Sequence, residues 1–191
     1  MYQKYQTEAL VLGSRERGEA DRVYTLYTQD FGLVRARASA VRRESSKMRY
    51  ALQHCSRAMV ALVKGKHGWR AAGASAAATL GGGDAGTAAF ARIASLALRL
   101  VQGTERNDYL FAALSEAHEA LRTAGDQSIA GTIEVVCVAR VLYALGYLST
   151  EALSTALFTH TAYTGESLLE AETLKDKLLV SINKAIAETQ L

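Results

Sequence analysis

The apolar residues of this 191-residue chain change their spacing once, abruptly, near Thr79. Before that point they alternate with a period of two in short runs; after it they recur at helical spacing. Alternation turns one face of a strand to a core, whereas recurrence every three to four positions turns one stripe of a helix inward. The two patterns do not share one layer, so the expected fold is α+β with two domains. Residues 1–78 form a small β-structure, 79–86 a glycine-rich linker and 87–191 an α-helical bundle.

Five strands are expected, at Thr7–Leu12, Arg22–Thr28, Leu33–Ala40, Ala58–Lys64 and Trp69–Ser75. Asp30-Phe31-Gly32 and Gly65-Lys66-His67-Gly68 supply tight turns after the second and fourth. The polar stretch from Val41 to Arg57 reads as a loop or a short helix. Five short strands with one long excursion after the third suit a closed five-stranded barrel of the OB type, and an SH3-like barrel also fits. Helices are expected at Thr87–Gln102, from an Asn107 cap to Gly125, and at Ser128–Leu148, Thr150–Phe158 and Ala171–Thr189. The third is apolar on nearly all sides and belongs at the centre of the bundle.

Several functions are excluded by what the motifs lack. Gly81-x-Gly83-x-x-Gly86 matches the dinucleotide fingerprint in letters, but no parallel strand pattern flanks it, so it reads as a linker. His54, His67, His118 and His160 have no ligand spacing and are expected at the surface. Cys55 and Cys137 form no Cys-x-x-Cys pair; neither metal, disulfide nor catalytic nucleophile is expected, and a reducing cytoplasm is the simplest home. Cys55 beside His54 is assigned to packing. The most apolar stretch, Ile133–Leu148, carries Glu134 and Arg140 and falls short of the roughly 18 apolar residues of a span, so no membrane partner is expected.

Charge is divided like periodicity. Residues 1–73 hold 14 of the 22 Lys/Arg and 6 of the 19 Asp/Glu, a net +8, and the remainder carries −5. A basic half suits a polyanion and an acidic half suits another task. Arg35 and Arg37 lie two apart on the third strand and share a face; Arg42, Arg43, Lys47 and Arg49 crowd the following excursion with Ser45 and Ser46. Such exposed cations hold phosphates without reading sequence. Of the strand aromatics Tyr24 and Tyr27, one is expected in the core, and for the other a structural role is weighed ahead of stacking on a base.

Thr7-Glu8-Ala9-Leu10-Val11-Leu12, then Gly18 through Thr28, then Phe31-Gly32-Leu33-Val34-Arg35-Ala36-Arg37-Ala38, followed by Arg42-Arg43, Ser46-Lys47-Met48-Arg49 and Leu52-Gln53, resemble the opening of the RecO family of bacterial recombination mediators. Asn107-Asp108-Tyr109-Leu110-Phe111 and Arg140-Val141-Leu142-Tyr143-Ala144-Leu145-Gly146-Tyr147 are similar, more loosely, to two helices of that family's second domain. The resemblance implies an OB-fold followed by a helical domain. It implies non-catalytic, cofactor-free work on single- and double-stranded DNA: annealing complementary strands and, with RecR, helping RecA load on strands coated by single-strand binding protein (SSB).

Arg35, Arg42, Arg43 and Arg49 match the family's basic surface, and Arg140 matches a position near the site for the carboxy-terminal tail of SSB. Arg140, with Val141 and Leu142 as an apolar wall, would then receive that tail; the competing role for Arg140 is an ion pair with Glu134 or Glu151. The family's cysteine zinc site has no counterpart in 148–169, and its Lys-Gly-Ala-Arg is Ser39-Ala40-Val41-Arg42 here. The chain is shorter than most relatives and lacks their long basic tail, so a reduced second DNA surface is expected. An RNA- or protein-binding adaptor is the runner-up, and a nucleotide-dependent enzyme a distant third.

Overall fold

The computed structural model describes residues 3–81, 85–149 and 155–189. They fall into two units, one of residues 1–80 with 102–107 and the other of 81–101 with 108–191.

The first unit is a closed barrel of β1 (Lys4–Arg17), β2 (Asp21–Thr28), β3 (Gly32–Ala38), β4 (Arg57–Gly65) and β5 (Gly68–Ala78), in the order β1-β2-β3-β5-β4. A short helix, α1 (Met48–Ala51), interrupts the excursion between β3 and β4. All pairings are antiparallel except β3 with β5, which meet at Ala36–Trp69 and Arg37–Arg70. This is the OB arrangement. Closure depends on β1, which is 14 residues long and serves two neighbours. Its first part pairs with β4 and its later part with β2, and Ala9 and Leu10 pair with both. The register shifts between Val11 and Gly13, a bulge that bends a strand and re-aims it. There the Val11 N–H donates to the Ser56 carbonyl at 2.9 Å, and its carbonyl accepts from Cys55 N–H at 3.0 Å.

Tyr24, Leu26, Val34, Ala36, Val60 and Leu62 alternate inward to form the barrel core. Burial of leucine-sized side chains contributes about 2 kcal/mol each. The excursion adds Val41 and Leu52 to this core, with Met48 packed against it. It is therefore anchored on its apolar residues, and its charged ones, Arg42, Arg43, Glu44, Lys47 and Arg49, face out. The loop 102–107 returns to the barrel at Gly32, where an added Cβ would lie 2.2 Å from the Glu105 carbonyl oxygen. Gly32 also has φ +58, so glycine is required there twice over.

The second unit contains α2 (Ala85–Leu100), α3 (Asp108–Thr123), α4 (Gln127–Ala144), a 3-10 turn (Ala156–Phe158) and α5 (Gly165–Glu188). As its composition requires, α4 is central and packs against α2, α3 and α5. It is long and apolar enough to cross a membrane by composition, but half of it is buried in this unit.

Four expectations are corrected. Ala85 and Gly86 begin α2 instead of belonging to the joint, and residues 82–84 lie outside the described residues. α4 ends at Ala144, not Leu148: Gly146 has φ +80, its N–H donates to Tyr143 O and that of Tyr147 to Leu142 O, a Schellman stop. α5 starts six residues before Ala171, because Thr164 and Ser167 form a reciprocal capping box. Of Thr150–Phe158, only the 3-10 turn is seen; residues 150–154 lie outside the described residues.

Candidate nucleic-acid interface

Alternation along β3 buries Val34, Ala36 and Ala38 and leaves Arg35 and Arg37 exposed on the outer face. The parallel register sets exposed Arg70 of β5 beside Arg37. Arg37 is engaged within the fold: its Nε donates to Asp21 Oδ2 at 2.7 Å, and its Nη2 reaches the same oxygen. Asp21 Oδ1 in turn accepts from the Ala40 N–H at 2.8 Å. Ala40 has φ +54, the left-handed turn that ends β3, so Asp21 holds that turn and Arg37 holds Asp21. These donors, Ala40 N–H foremost and Arg37 next, keep the Asp21 carboxyl below its ordinary pKa.

In the excursion, Arg42 Nη1 lies 3.2 Å from Glu16 Oε2 and donates to the Gly18 carbonyl at 3.3 Å. The other oxygen of Glu16 lies 3.3 Å from Arg22 Nη2. Arg35, Arg43, Lys47 and Arg49 are exposed and make no ion pair among the described residues. Lys47 precedes α1 and Arg49 lies within it, so the apolar anchor of Met48 and Leu52 sets their outward direction. The Arg49 guanidinium sits 5.1 Å from the centroid of the Tyr50 ring, which is 59% exposed. Between β1, β2 and the excursion lies a cleft of about 420 Å³ lined by Arg22, Arg42, Arg49, Tyr50, Gln53 and Glu16.

For the strand tyrosines the structural role holds and the stacking alternative falls. Tyr24 and Tyr27 are 2% and 1% exposed, so neither presents a ring to a base. Tyr24 belongs to the barrel core, and Tyr27, on the opposite face of β2, is buried as well. In the barrel unit Tyr50 presents an exposed ring, with the Arg49 guanidinium over one face, and its signal in the sequence is its place directly after Arg49 in a polar excursion. Arg22 was also missed. It sits opposite Glu16 in the β1–β2 register, which spacing alone does not reveal.

In the helical unit Arg140 is 1% exposed. Its Nε donates to Leu157 O at 2.9 Å, Nη1 to Thr161 O at 2.6 Å and Nη2 to Ala162 O at 3.4 Å, and the guanidinium lies 4.6 Å from the Tyr163 ring centroid. The expected apolar wall is not found, and of the two acids weighed as partners only Glu134 can be placed. Val141 and Leu142 are fully buried and line no wall of the adjoining cavity of about 320 Å³, whose apolar side is Ala156, Leu157 and Ala162. Glu134 pairs instead with Arg92 at 2.6 Å, and Glu151 lies outside the described residues.

His118 is buried, edge-on to Phe90 at 5.1 Å, whereas His54, His67 and His160 are exposed. Position 118 falls four after Leu114 on the inner stripe of α3, which explains it. Cys55 and His54 are not on a strand; Cys55 sits at φ +61 with Sγ 3.7 Å from His54 Nδ1. Burial pushes its thiol up to about 11 and that of Cys137 up to about 12, away from thiolate reactivity. Among the described residues no group of three His, Cys, Asp or Glu is placed to hold a metal.

Fold and charge together define an OB-type barrel with a cationic excursion. Residues 1–70 match the family model for the amino-terminal domain of recombination protein O, so the resemblance to RecO holds over the barrel. The DNA repair protein RecO of Desulfitobacterium hafniense is 42% identical over 62 residues, 32% of this chain and 23% of that protein. That of Heliobacterium modesticaldum is 41% identical over 63 residues, 33% of this chain and 23% of its own length. RecO of Bifidobacterium adolescentis is 42% identical over 62 residues, 32% and 25% of the respective chains. The matched stretch thus spans about a quarter of these relatives.

Proposed function

We propose that this protein is a non-catalytic DNA-binding mediator of repair and recombination that acts in the cytoplasm. It holds single and double strands on the barrel, anneals complementary strands and works with RecR to help RecA load on SSB-coated DNA. The observation that carries the reading is the set of exposed cations Arg35, Arg43, Lys47 and Arg49 without carboxylate partners among the described residues, on a barrel of the RecO type. Arg37 has the narrower role of fixing the turn at Ala40 through Asp21. The roles of RecR, RecA and SSB rest on the RecO resemblance. For the SSB tail, the cavity beside Arg140 supplies an apolar wall of Ala156, Leu157 and Ala162.

Binding through these cations is electrostatic and indifferent to sequence. With four phosphates neutralised on a single strand, log affinity falls against log salt with a slope of about −3, from roughly −0.7 per contact. A salt titration on single-stranded DNA, duplex DNA and RNA tests this. A slope near zero overturns the phosphate assignment, and tighter binding to RNA than to either DNA favours an RNA adaptor.

A further inference from the structure

Two carboxylates face arginines on this side of the barrel, and they are held differently. Asp21 is the inner one: its side chain is 16% exposed, and it anchors the Ala40 turn as well as Arg37. Glu16 is the outer one, with a side chain 57% exposed and a single contact to each arginine, 3.3 Å to Arg22 and 3.2 Å to Arg42. Full charge-assisted bonds are about 2.7–2.9 Å, as in Arg57–Glu8 at 2.7 Å. Glu16 is thus held loosely, by solvent-screened contacts, and no backbone group depends on it among the bonds described.

We propose that Arg22 and Arg42 form a site for one backbone phosphate of a nucleic-acid strand, and that Glu16 holds these cations until the phosphate displaces it. The inference rests on the reading that this barrel binds nucleic acid, and it names the regulation of that surface. One carboxylate spans both guanidinium groups, so their separation is one anion wide. A phosphate presents the same pair of oxygens to two arginine forks. The rest of the cleft suits the remainder of a nucleotide, since the exposed Tyr50 ring, with the Arg49 guanidinium over one of its faces, lines it as an aromatic and cationic surface for a base. Displacement costs an isolated anion the Glu16 contacts for little return, whereas a strand that also meets Arg43 and Lys47 is compensated by those contacts. Glu16 therefore biases the cleft towards polyanions.

The test is fluorescence anisotropy of a labelled oligothymidylate with the full chain at near-physiological salt. Glu16→Gln is expected to tighten binding by about 3- to 5-fold, the range of one exposed pair. Glu44→Gln, the same charge change at an exposed excursion site, gives less than about 2-fold. Glu16→Asp keeps the net charge but is too short to span both arginines, and gives an intermediate gain. In an Arg22→Ala/Arg42→Ala background, Glu16→Gln changes nothing. The proposal is overturned if Glu16→Gln binds no tighter than Glu44→Gln, or if its gain survives in the double-alanine background. Lower melting temperature with weaker binding in both Glu16 variants makes the residue structural and overturns it too. If the parent chain itself fails to bind, the proposed function falls instead.

Discussion

Arg140 illustrates how far a residue's sequence neighbours can mislead about its role. An arginine in an apolar helix invites a search for an acidic partner, near in sequence or on a ligand. Among the described residues its partners are three backbone carbonyls and a tyrosine ring, so this side chain ties the segment from Leu157 to Tyr163 to α4, beside the Tyr143–Phe158 ring contact. Carbonyl partners have no signature in composition, so nothing in the sequence pointed to them. Arg140→Ala would leave these buried acceptors without their donor. It is expected to destabilise the helical unit by about 3 kcal/mol, read as a lower urea midpoint. An unchanged midpoint would mean that the 155–164 segment is held by other contacts. The basic residues of the barrel were legible as a group because cations cluster in the chain. Which of them are engaged was not, since Asp21 meets Arg37 through strand pairing and Glu16 meets Arg42 where the excursion folds back, the Arg42 N–H donating to the Ala20 carbonyl.

Among the elements, those with an apolar alternation or stripe are legible in the sequence, and their polar ends are not. β1 runs five residues past Leu12, but Gly13–Arg17 is exposed or half-exposed and carries no hydrophobic signal. The opening turn of α5 was missed for the same reason, its cap being made of hydroxyls. α4 was overextended because Leu145, Tyr147 and Leu148 continue the apolar run past a glycine stop. The glycine-rich run suggests flexibility at Gly86, but the structure shows a close approach: an added Cβ would meet the Leu121 carbonyl oxygen at 2.3 Å. Glycine to alanine inside a helix ordinarily stabilises by up to about 1 kcal/mol. At Gly86 the sign is expected to reverse, with a loss of about 1–3 kcal/mol as α2 is pushed from α3. Gly131 in α4, where a Cβ meets nothing within 4 Å, is the matched control and is expected to gain. Thermal melts of both variants check the pair, and equal shifts would remove the packing explanation.

For the molecule as a whole, the split in charge coincides with the split in architecture, the basic stretch lying in the barrel and the acidic remainder mostly in the helices. That division was visible in the sequence because both periodicity and charge count change near the same point. Each unit also carries one buried cysteine, Cys55 in the barrel and Cys137 in α4. Burial and the raised pKa values predict that neither thiol reacts with an aromatic disulfide reagent at pH 8 in the folded protein, and that both react in denaturant. Labelling of one thiol ahead of the other during a denaturant titration would report which unit opens first. Rapid labelling of either without denaturant would contradict its burial.

The double duty of β1 has a consequence for how quickly the chain finds its fold. The hairpin of β1 with β2 is local, but closing the barrel requires Thr7 to find Val60 and Ala36 to find Trp69, across the whole excursion. Loop entropy is lost before such distant pairings return any contact energy, and folding rates drop as contacts become less local. The helices of the second unit connect mostly to sequence neighbours and escape that delay. The half of the protein that carries the cations is therefore expected to mature last, with β1 an unpaired edge until β4 docks along it.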